Sequence, residues 1–188
     1  GGGGGGQKEE EVVIARAIFK SPMPSALLEV VQKASGAGGF NAQHLVTAWG
    51  RIWRFERRNA EEDAATKALT GKLAELTRRM SAELDGKDVA TVVHGMAKLQ
   101  AMGKAPVYVS LLKTMETRAL SGVGEMEESV VSMLTWSFGK ANYKGSPELL
   151  QKLSERAAVL AQDFDPRSLT NFLYGLVAMG MKDPGVGR

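Results

Sequence analysis

The sequence has no cysteine and only two histidines, His44 and His94, which are separated by fifty positions. Without cysteine the chain has no disulfide bond, no thiolate zinc site and no cysteine nucleophile. Two isolated histidines do not make a histidine-based metal motif. No apolar run approaches the roughly 18 residues that a transmembrane helix needs, so no membrane span is predicted.

Catalytic patterns are also missing. The acidic residues are scattered without a recurrent pair, and the serines fall at predicted helix caps and loops, so no nucleophile and base can be paired. We therefore expect a protein that is not an enzyme and that has no cofactor, no metal and no small-molecule substrate. The net charge is +3, which permits a polyanionic partner without requiring one.

Glycine is concentrated at the start, where Gly1 to Gly6 precede Gln-Lys-Glu-Glu-Glu. This low-complexity composition predicts a flexible or extended tail over residues 1–11. The whole chain, including this tail, is 44% hydrophobic, which is enough for a continuous core. We predict a helical array over residues 12–182 and a short tail over residues 183–188.

One stretch occurs four times, beginning at Phe40, Leu84, Met126 and Phe164, so that the starts lie 44, 42 and 38 residues apart. Each time an apolar residue precedes Asn, Asp or Glu, and a second apolar residue follows five positions after the first. This spacing is typical of a capped helix start with a hydrophobic staple. A recurrence of about 40 residues indicates an array of helical hairpins.

The first helix of each hairpin is predicted to run about 16 residues, to Arg57, Met102, Tyr143 and Met179. Second helices are predicted over 60–81, 106–120 and 147–161, and residues 12–19 and 25–34 form a degenerate first pair. The predicted fold is all-α, a right-handed α-solenoid of four to five hairpins with about nine helices.

Counting from each start, offsets 5, 8, 12 and 15 are apolar and predict the buried stripe of the first helices. Offsets 3, 7, 11 and 14 fall on the opposite side, and offset 10 beside them holds Gly50, His94, Trp136 and Tyr174. In a stacked array these positions would form one strip of basic, hydrogen-bonding and stacking side chains, an inventory that suits single-stranded nucleic acid. The candidate RNA-binding residues are Gln43, Thr47, Arg51, Arg54, Lys87, Thr91, Lys98, Trp136, Lys140, Arg167, Asn171 and Tyr174.

Each of these residues also has a simpler interpretation. A solvated helix face is polar in any protein, and Trp136 and Tyr174 taken singly are more typical of hairpin packing. Glycines and Ser137 at offsets 10 and 11 are better explained by close helix approach. Residues 49–58 carry four arginines and one glutamate in one predicted helix, the strongest local charge signal.

The repeated units, best seen in Phe164 to Gly180 (FDPRSLTNFLYGLVAMG) and in the corresponding residues 84–103 and 126–144, resemble helical-hairpin repeats of the octotricopeptide and heptatricopeptide class. Similar units occur in FAST-kinase-like RNA proteins. The resemblance implies an α-solenoid of the mitochondrion, or alternatively the plastid, that binds an organellar transcript or ribosomal RNA. It implies a role in RNA processing, stability or translation, or as an organellar ribosome component with ribosomal or other proteins as partners.

A different class of function remains open. The same first-helix surface could hold a peptide or helix, which would make the protein a scaffold subunit of a large organellar complex with no direct RNA contact. In that case the aromatic side chains and the methionines Met133 and Met179 would be the anchors. Salt discriminates between the two, because RNA binding weakens steeply with salt and an apolar groove does not respond in that way.

Overall fold

The computed structural model of the protein describes residues 4–55, 59–106 and 108–181. Within these ranges the chain forms nine α-helices, two 3-10 helices and no strand. The 3-10 helices are Ser81–Glu83 and Val123–Glu125. The α-helices are α1 (Gly4–Lys20), α2 (Pro24–Gly36), α3 (Ala42–Ile52), α4 (Ala60–Met80), α5 (Gly86–Ala101), α6 (Val109–Leu120), α7 (Glu128–Lys140), α8 (Pro147–Val159) and α9 (Pro166–Met179). The all-α class is confirmed.

The four first helices, α3, α5, α7 and α9, begin where the repeated stretch predicts. The side chains of Asn41, Asp85 and Asp165 each accept a hydrogen bond from the backbone N–H three residues on, at 3.0, 2.8 and 2.8 Å. Such caps satisfy amides that have no partner inside the helix. Glu127, which matches the pattern least well, makes no side-chain cap.

Three helix bounds predicted over residues 40–161 are wrong by three residues or more. One is the end of α7, which lies at Lys140 and not at Tyr143. Helix α3 ends at Ile52, not at Arg57, so Arg54 lies in the turn after it, and Glu56, Arg57 and Arg58 lie outside the described residues. Helix α6 begins at Val109 and not at Pro106, and no side chain caps its start. Helix α8 does begin at Pro147, where the Ser146 hydroxyl accepts from the Leu149 amide at 3.1 Å.

The prediction of a tail is corrected for residues 4–11, which belong to α1. Glutamate, glutamine and lysine favour helix, and this outweighs the preceding glycines. The helix is also held from outside: the Nδ1 atom of His44 accepts from the Asn41 amide, so Nε2 carries the proton and donates to the carbonyl of Glu11 at 2.8 Å. The predicted tail at 183–188 lies outside the described residues.

The array predicted over residues 12–182 divides into two compact units, Gly1–Glu83 (unit 1) and Leu84–Arg188 (unit 2). In unit 1, α1 packs against α3 and α2 packs against α4. A buried hydrogen bond from Trp49 Nε1 to Thr77 Oγ1, 2.9 Å long, joins α3 to α4. Large apolar side chains such as Ile18, Leu27 and Leu73 fill the core.

In unit 2 the first helices lie side by side, since α7 packs against both α5 and α9, while α8 packs against α6 and α7. Two arginines of the second helices make equivalent hydrogen bonds to the starts of the preceding first helices. The Nε atom of Arg118 donates to the carbonyl of Leu84, and the Nε atom of Arg156 donates to the carbonyl of Met126. Each unit therefore has the stacked-hairpin arrangement that the recurrence predicts. The handedness of the array stays a prediction.

The predicted buried stripe is observed. Offsets 5, 8, 12 and 15 are buried in all four first helices, with one exception, Leu169 of α9, which is 44% exposed. The residue at the same offset in α5 is Val89 and in α7 is Val131, and both are fully buried. Leu169 is therefore exposed because it lies on the outer side of α9, although the repeated pattern assigns its position to the buried stripe.

Candidate nucleic-acid interface

A cavity of about 410 Å³ opens on the first-helix side of unit 2, between α5, α7 and the start of α9. We call it the Trp136 groove. It is lined by His94, Lys98, Ser129, Ser132, Met133, Trp136, Asp165, Arg167, Ser168 and Asn171. Four of the candidate RNA-binding residues therefore meet in one place, and they come from three helices.

Trp136 lies at the centre of the aromatic and cationic contacts in this groove. Its ring centroid is 5.4 Å from that of His94, with a 37° angle between the planes, and 5.1 Å from the Lys98 ammonium nitrogen. The ring is half-buried. The hydroxyl of Ser137 lies 3.3 Å from His94 Nδ1, so α5 and α7 also meet through a hydrogen bond beside the ring. These contacts orient the indole and leave part of it accessible.

Helix α9 approaches α7 at backbone distance. A Cβ added to Gly175 would lie 2.3 Å from the carbonyl oxygen of Thr135. The Ser132 hydroxyl donates to the carbonyl of Ser168 at 2.8 Å, which secures the first turn of α9 against α7. The expectation that Gly175 serves close helix approach is confirmed, and this approach brings Arg167 and Asn171 to the groove.

Asp165 is the acidic residue at the rim of the groove, and its role is structural. The hydrogen bond from the Ser168 amide lowers the pKa of the Asp165 carboxyl below its ordinary value, with a further contribution from the Arg167 charge. The carboxylate is thus ionised at neutral pH and committed to the helix cap. The cationic side chains Lys98 and Arg167 line the same groove.

The other candidates of unit 2 lie outside this cavity. Lys87 and Lys140 are exposed on α5 and α7, and Tyr174 is 47% exposed on α9. The Thr91 hydroxyl donates to the carbonyl of Lys87 at 3.0 Å, so it is engaged with its own helix. Neither lysine lines the Trp136 groove, and Lys87 lies at a separate cavity near the start of α5.

The four candidates of unit 1 are Gln43, Thr47, Arg51 and Arg54. Thr47 donates to the carbonyl of Gln43 at 2.7 Å, a local helix bond. Arg51 donates from Nη2 to the carbonyl of Ser21 at 2.7 Å, and the exposed Arg54 lies with its guanidinium 5.1 Å from the Trp53 ring. Arg51 therefore has a structural partner in its own unit.

Sequence reasoning missed Phe19, which is 70% exposed with its ring centroid 5.6 Å from the Arg51 guanidinium. The ring of Phe55 lies 5.3 Å from the same group. Phe19 ends an apolar run, a pattern that predicts burial, so nothing in the sequence marks it as exposed. Phe19 is exposed because α1 ends and the chain turns immediately after it.

An apolar ridge runs along the outer side of α9. Leu169, Leu173 and Val177 are 44%, 52% and 70% exposed, at successive four-residue steps. At the same offsets α5 has Val89, Val93 and Ala97 and α7 has Val131, Thr135 and Gly139, and all six are buried. In α5 and α7 this face is covered by the next first helix. Met179, proposed as a peptide anchor, is buried at 1% exposure and so is not available at the surface.

Among the residues with described coordinates, no group of histidine, aspartate and glutamate side chains is arranged to hold a metal ion. None of the described helices combines the length and the apolar character needed to cross a bilayer.

A search of curated proteins finds no match to this chain. The model of one protein family, described as RNA-editing substrate-binding complex 6 protein, matches residues 15–186. The likeness to octotricopeptide and heptatricopeptide repeats stays a prediction. Because the family match runs through both units and covers nearly the whole chain, the protein belongs to the RNA-editing substrate-binding complex 6 family.

Proposed function

We propose that this protein is an RNA-binding subunit of an RNA-editing substrate-binding complex and that the Trp136 groove of unit 2 contacts single-stranded RNA. The observation that carries the proposal is the meeting of Lys98, Trp136, Arg167 and Asn171 from three helices in one groove. The family description supports it, since it names a complex that binds an RNA-editing substrate.

The chemistry of the groove suits unpaired RNA better than a duplex. A base exposes its flat face only when it is unstacked from its neighbours, and a half-buried tryptophan offers a surface for that face. Arg167 and the exposed Lys140 are available for backbone phosphates. The groove holds the Lys98 ammonium over the Trp136 ring and the exposed Arg167 on the neighbouring helix, so that cations and an aromatic surface are available to one strand.

The test is RNA affinity, measured by fluorescence anisotropy with a labelled single strand of mixed sequence. Trp136→Ala is expected to weaken binding by about 1–3 kcal/mol, the usual contribution of one stacked base. Trp136→Phe retains a ring and should recover most of the affinity. Thermal melts of each variant establish that it is folded. Equal affinities for the wild type and a folded Trp136→Ala would contradict the proposal.

A second function is favoured by the apolar ridge of α9, which is the face that a further helix covers in α5 and α7. An amphipathic helix of another subunit would continue the same packing there, as in a scaffold. Leu173→Glu should then remove a co-purifying protein that persists after nuclease treatment. If the partner remains with Leu173→Glu, the ridge is not its docking surface.

We further propose that the protein is not an enzyme and that it acts in the mitochondrion, with the plastid as the alternative. Both rest on the sequence: the lack of a catalytic constellation, and the resemblance to organellar repeat proteins. Imaging of the tagged full-length protein against organelle markers tests the second. A cytosolic or nuclear signal would contradict it.

A further inference from the structure

Asn171 is the one side-chain amide among the residues that line the Trp136 groove. It is half-buried and lies one turn after Arg167 on α9. An amide presents a donor and an acceptor next to each other in one plane, so it can pair with a base edge that has the complementary arrangement. The position and chemistry of Asn171 thus raise the question of which base the groove accepts.

The other polar side chains of the groove are less suited to reading a base. Ser132 donates to the carbonyl of Ser168, and the Asp165 carboxylate accepts from the Ser168 amide as a helix cap. The Lys98 ammonium lies over the Trp136 ring, and Arg167 is exposed at the rim, where a phosphate is the expected partner. Ser129, Ser168 and His94 also line the groove, but a hydroxyl or the remaining ring nitrogen of His94 presents only one polar atom to a base edge. Asn171 is therefore the group that can present a donor and an acceptor side by side.

The size and composition of the groove suit a single unpaired nucleotide. About 410 Å³ is at the small end of ligand pockets, which run from roughly 300 to 1,000 Å³. One face of the ligand would meet the Trp136 indole, and the Met133 thioether is a further apolar contact. A larger ring system covers more of an indole, which favours a purine.

We infer that the Trp136 groove selects adenine, stacked on Trp136 and paired through its N6 amino group and N7 with the amide of Asn171. This rests on the proposed RNA-binding function and adds its base preference. Asparagine pairs with adenine in this way because the amide oxygen accepts from N6 and the amide nitrogen donates to N7. Guanine presents two acceptors on the same edge, which the amide cannot match together.

The experiment compares the full chain with Asn171→Ala, using labelled twelve-nucleotide RNAs made of adenosine, uridine, cytidine, or 7-deazaadenosine. Wild type is expected to bind oligoadenylate roughly tenfold more tightly than the pyrimidine strands, the usual discrimination of one paired amide. Replacing N7 by carbon removes one of the two hydrogen bonds and should lose part of this factor. Asn171→Ala should lose affinity for oligoadenylate and show no further loss with 7-deazaadenosine, because the variant already lacks the amide that donates to N7.

The matched control is Gln151→Ala, which removes an exposed amide from α8, where it donates to Glu155. It should leave the ranking of the four RNAs unchanged. A folded Asn171→Ala that keeps the wild-type ranking, or a wild type without an adenine preference, overturns the inference. If mixed-sequence RNA still binds with Trp136 dependence, the proposed function stands without it; if no RNA binds the wild type, both fail.

Discussion

Glu116 is a buried carboxylate in α6 whose partners come from the loop between α7 and α8. It accepts hydrogen bonds from the Tyr143 hydroxyl and from the Ser146 amide, the latter at 3.0 Å. Burial of the phenol, its hydrogen bond to Glu116 and the negative charge of that carboxylate raise the pKa of Tyr143 well above its ordinary value of 10.0. The neutral phenol therefore stabilises unit 2.

The sign of this pKa shift predicts alkaline sensitivity. The stabilisation is complete below pH 10 and is lost as the pH rises through the raised folded-state pKa. Tyr143→Phe should lower the free energy of unfolding at pH 7 by about 1–3 kcal/mol, through the lost hydrogen bond, and should reduce the further loss above pH 10. Urea unfolding at a series of pH values measures both. Tyr174→Phe, which alters an exposed ring, should keep the wild-type alkaline profile; an unchanged profile in Tyr143→Phe would contradict the assignment.

Arg51 and Arg54 are the matched pair of unit 1. Arg51 bonds the carbonyl of Ser21 and lies near two phenylalanine rings, and its Nε atom is buried without a hydrogen-bond partner among the residues described. Arg54 is exposed beside Trp53. The sequence predicted both as phosphate contacts, because a charge pattern does not reveal that the turn after α1 passes within reach of one of them.

We expect Arg51→Gln to destabilise unit 1 by about 1.5–3 kcal/mol, the contribution of a hydrogen bond to a charged group, whereas Arg54→Gln changes stability by less than about 0.5 kcal/mol. Chemical denaturation followed by tryptophan fluorescence measures both, since Trp49 and Trp53 lie in the same unit. Equal stability of the two variants would show that the bond to Ser21 contributes nothing measurable.

At the scale of the helix, the closest packing is between α7 and α9. Gly175 faces the Thr135 carbonyl, and a Cβ at Gly139 would lie 2.9 Å from the Cα of Gly175. Gly175→Ala forces the two backbones apart and should destabilise unit 2 by about 1–3 kcal/mol or more. Since the same contact brings α9 to the groove, RNA affinity should fall with stability.

Gly124→Ala is the control for this change, because a Cβ there meets no atom within 4 Å. The thermal midpoints of the two variants provide the comparison. A Gly175→Ala protein as stable as Gly124→Ala would mean that α9 tolerates displacement and that the close approach is not required.

The starts of the first helices could be read from the sequence because they depend on local chemistry: a capping side chain, a staple and an apolar stripe. Their ends and some second-helix starts could not. Pro147 follows the capping Ser146 and starts α8, and Pro24 starts α2 without a side-chain cap, whereas α6 starts at Val109 and not at Pro106. A proline alone does not determine the start of a helix.

For the whole molecule, the sequence predicted the layering of hairpins and the residues of the first-helix face, but not which of them share a cavity. Lys98 and Arg167 are 69 positions apart and meet at one groove because α7 lies between their helices and Gly175 lets α9 approach. The division into units after residue 83 has no signal in composition either. Both depend on contacts between distant residues.

Salt dependence is the property that tests the distribution of charge in unit 2. For single-stranded RNA, the slope of log K against log salt falls in magnitude by about 0.7 for each phosphate contact that is removed. Lys140 and Arg167 are exposed on first helices, so the double variant Lys140→Ala/Arg167→Ala should reduce the slope by about 1.4 in magnitude. Lys113 and Lys152 are exposed on the second helices α6 and α8 and provide a control with the same change in net charge.

The double variant Lys113→Ala/Lys152→Ala should leave the slope within about 0.3 of the wild type, because these lysines contact no phosphate in the proposed complex. Anisotropy titrations between 50 and 300 mM salt, on the order of one decade, measure all three slopes. If both double variants lower the slope equally, affinity follows the net charge of the protein and not the first-helix face. If only the Lys140→Ala/Arg167→Ala variant has a smaller slope, these two side chains contact phosphates. A single RNA strand would then contact both these cations and the Trp136 ring.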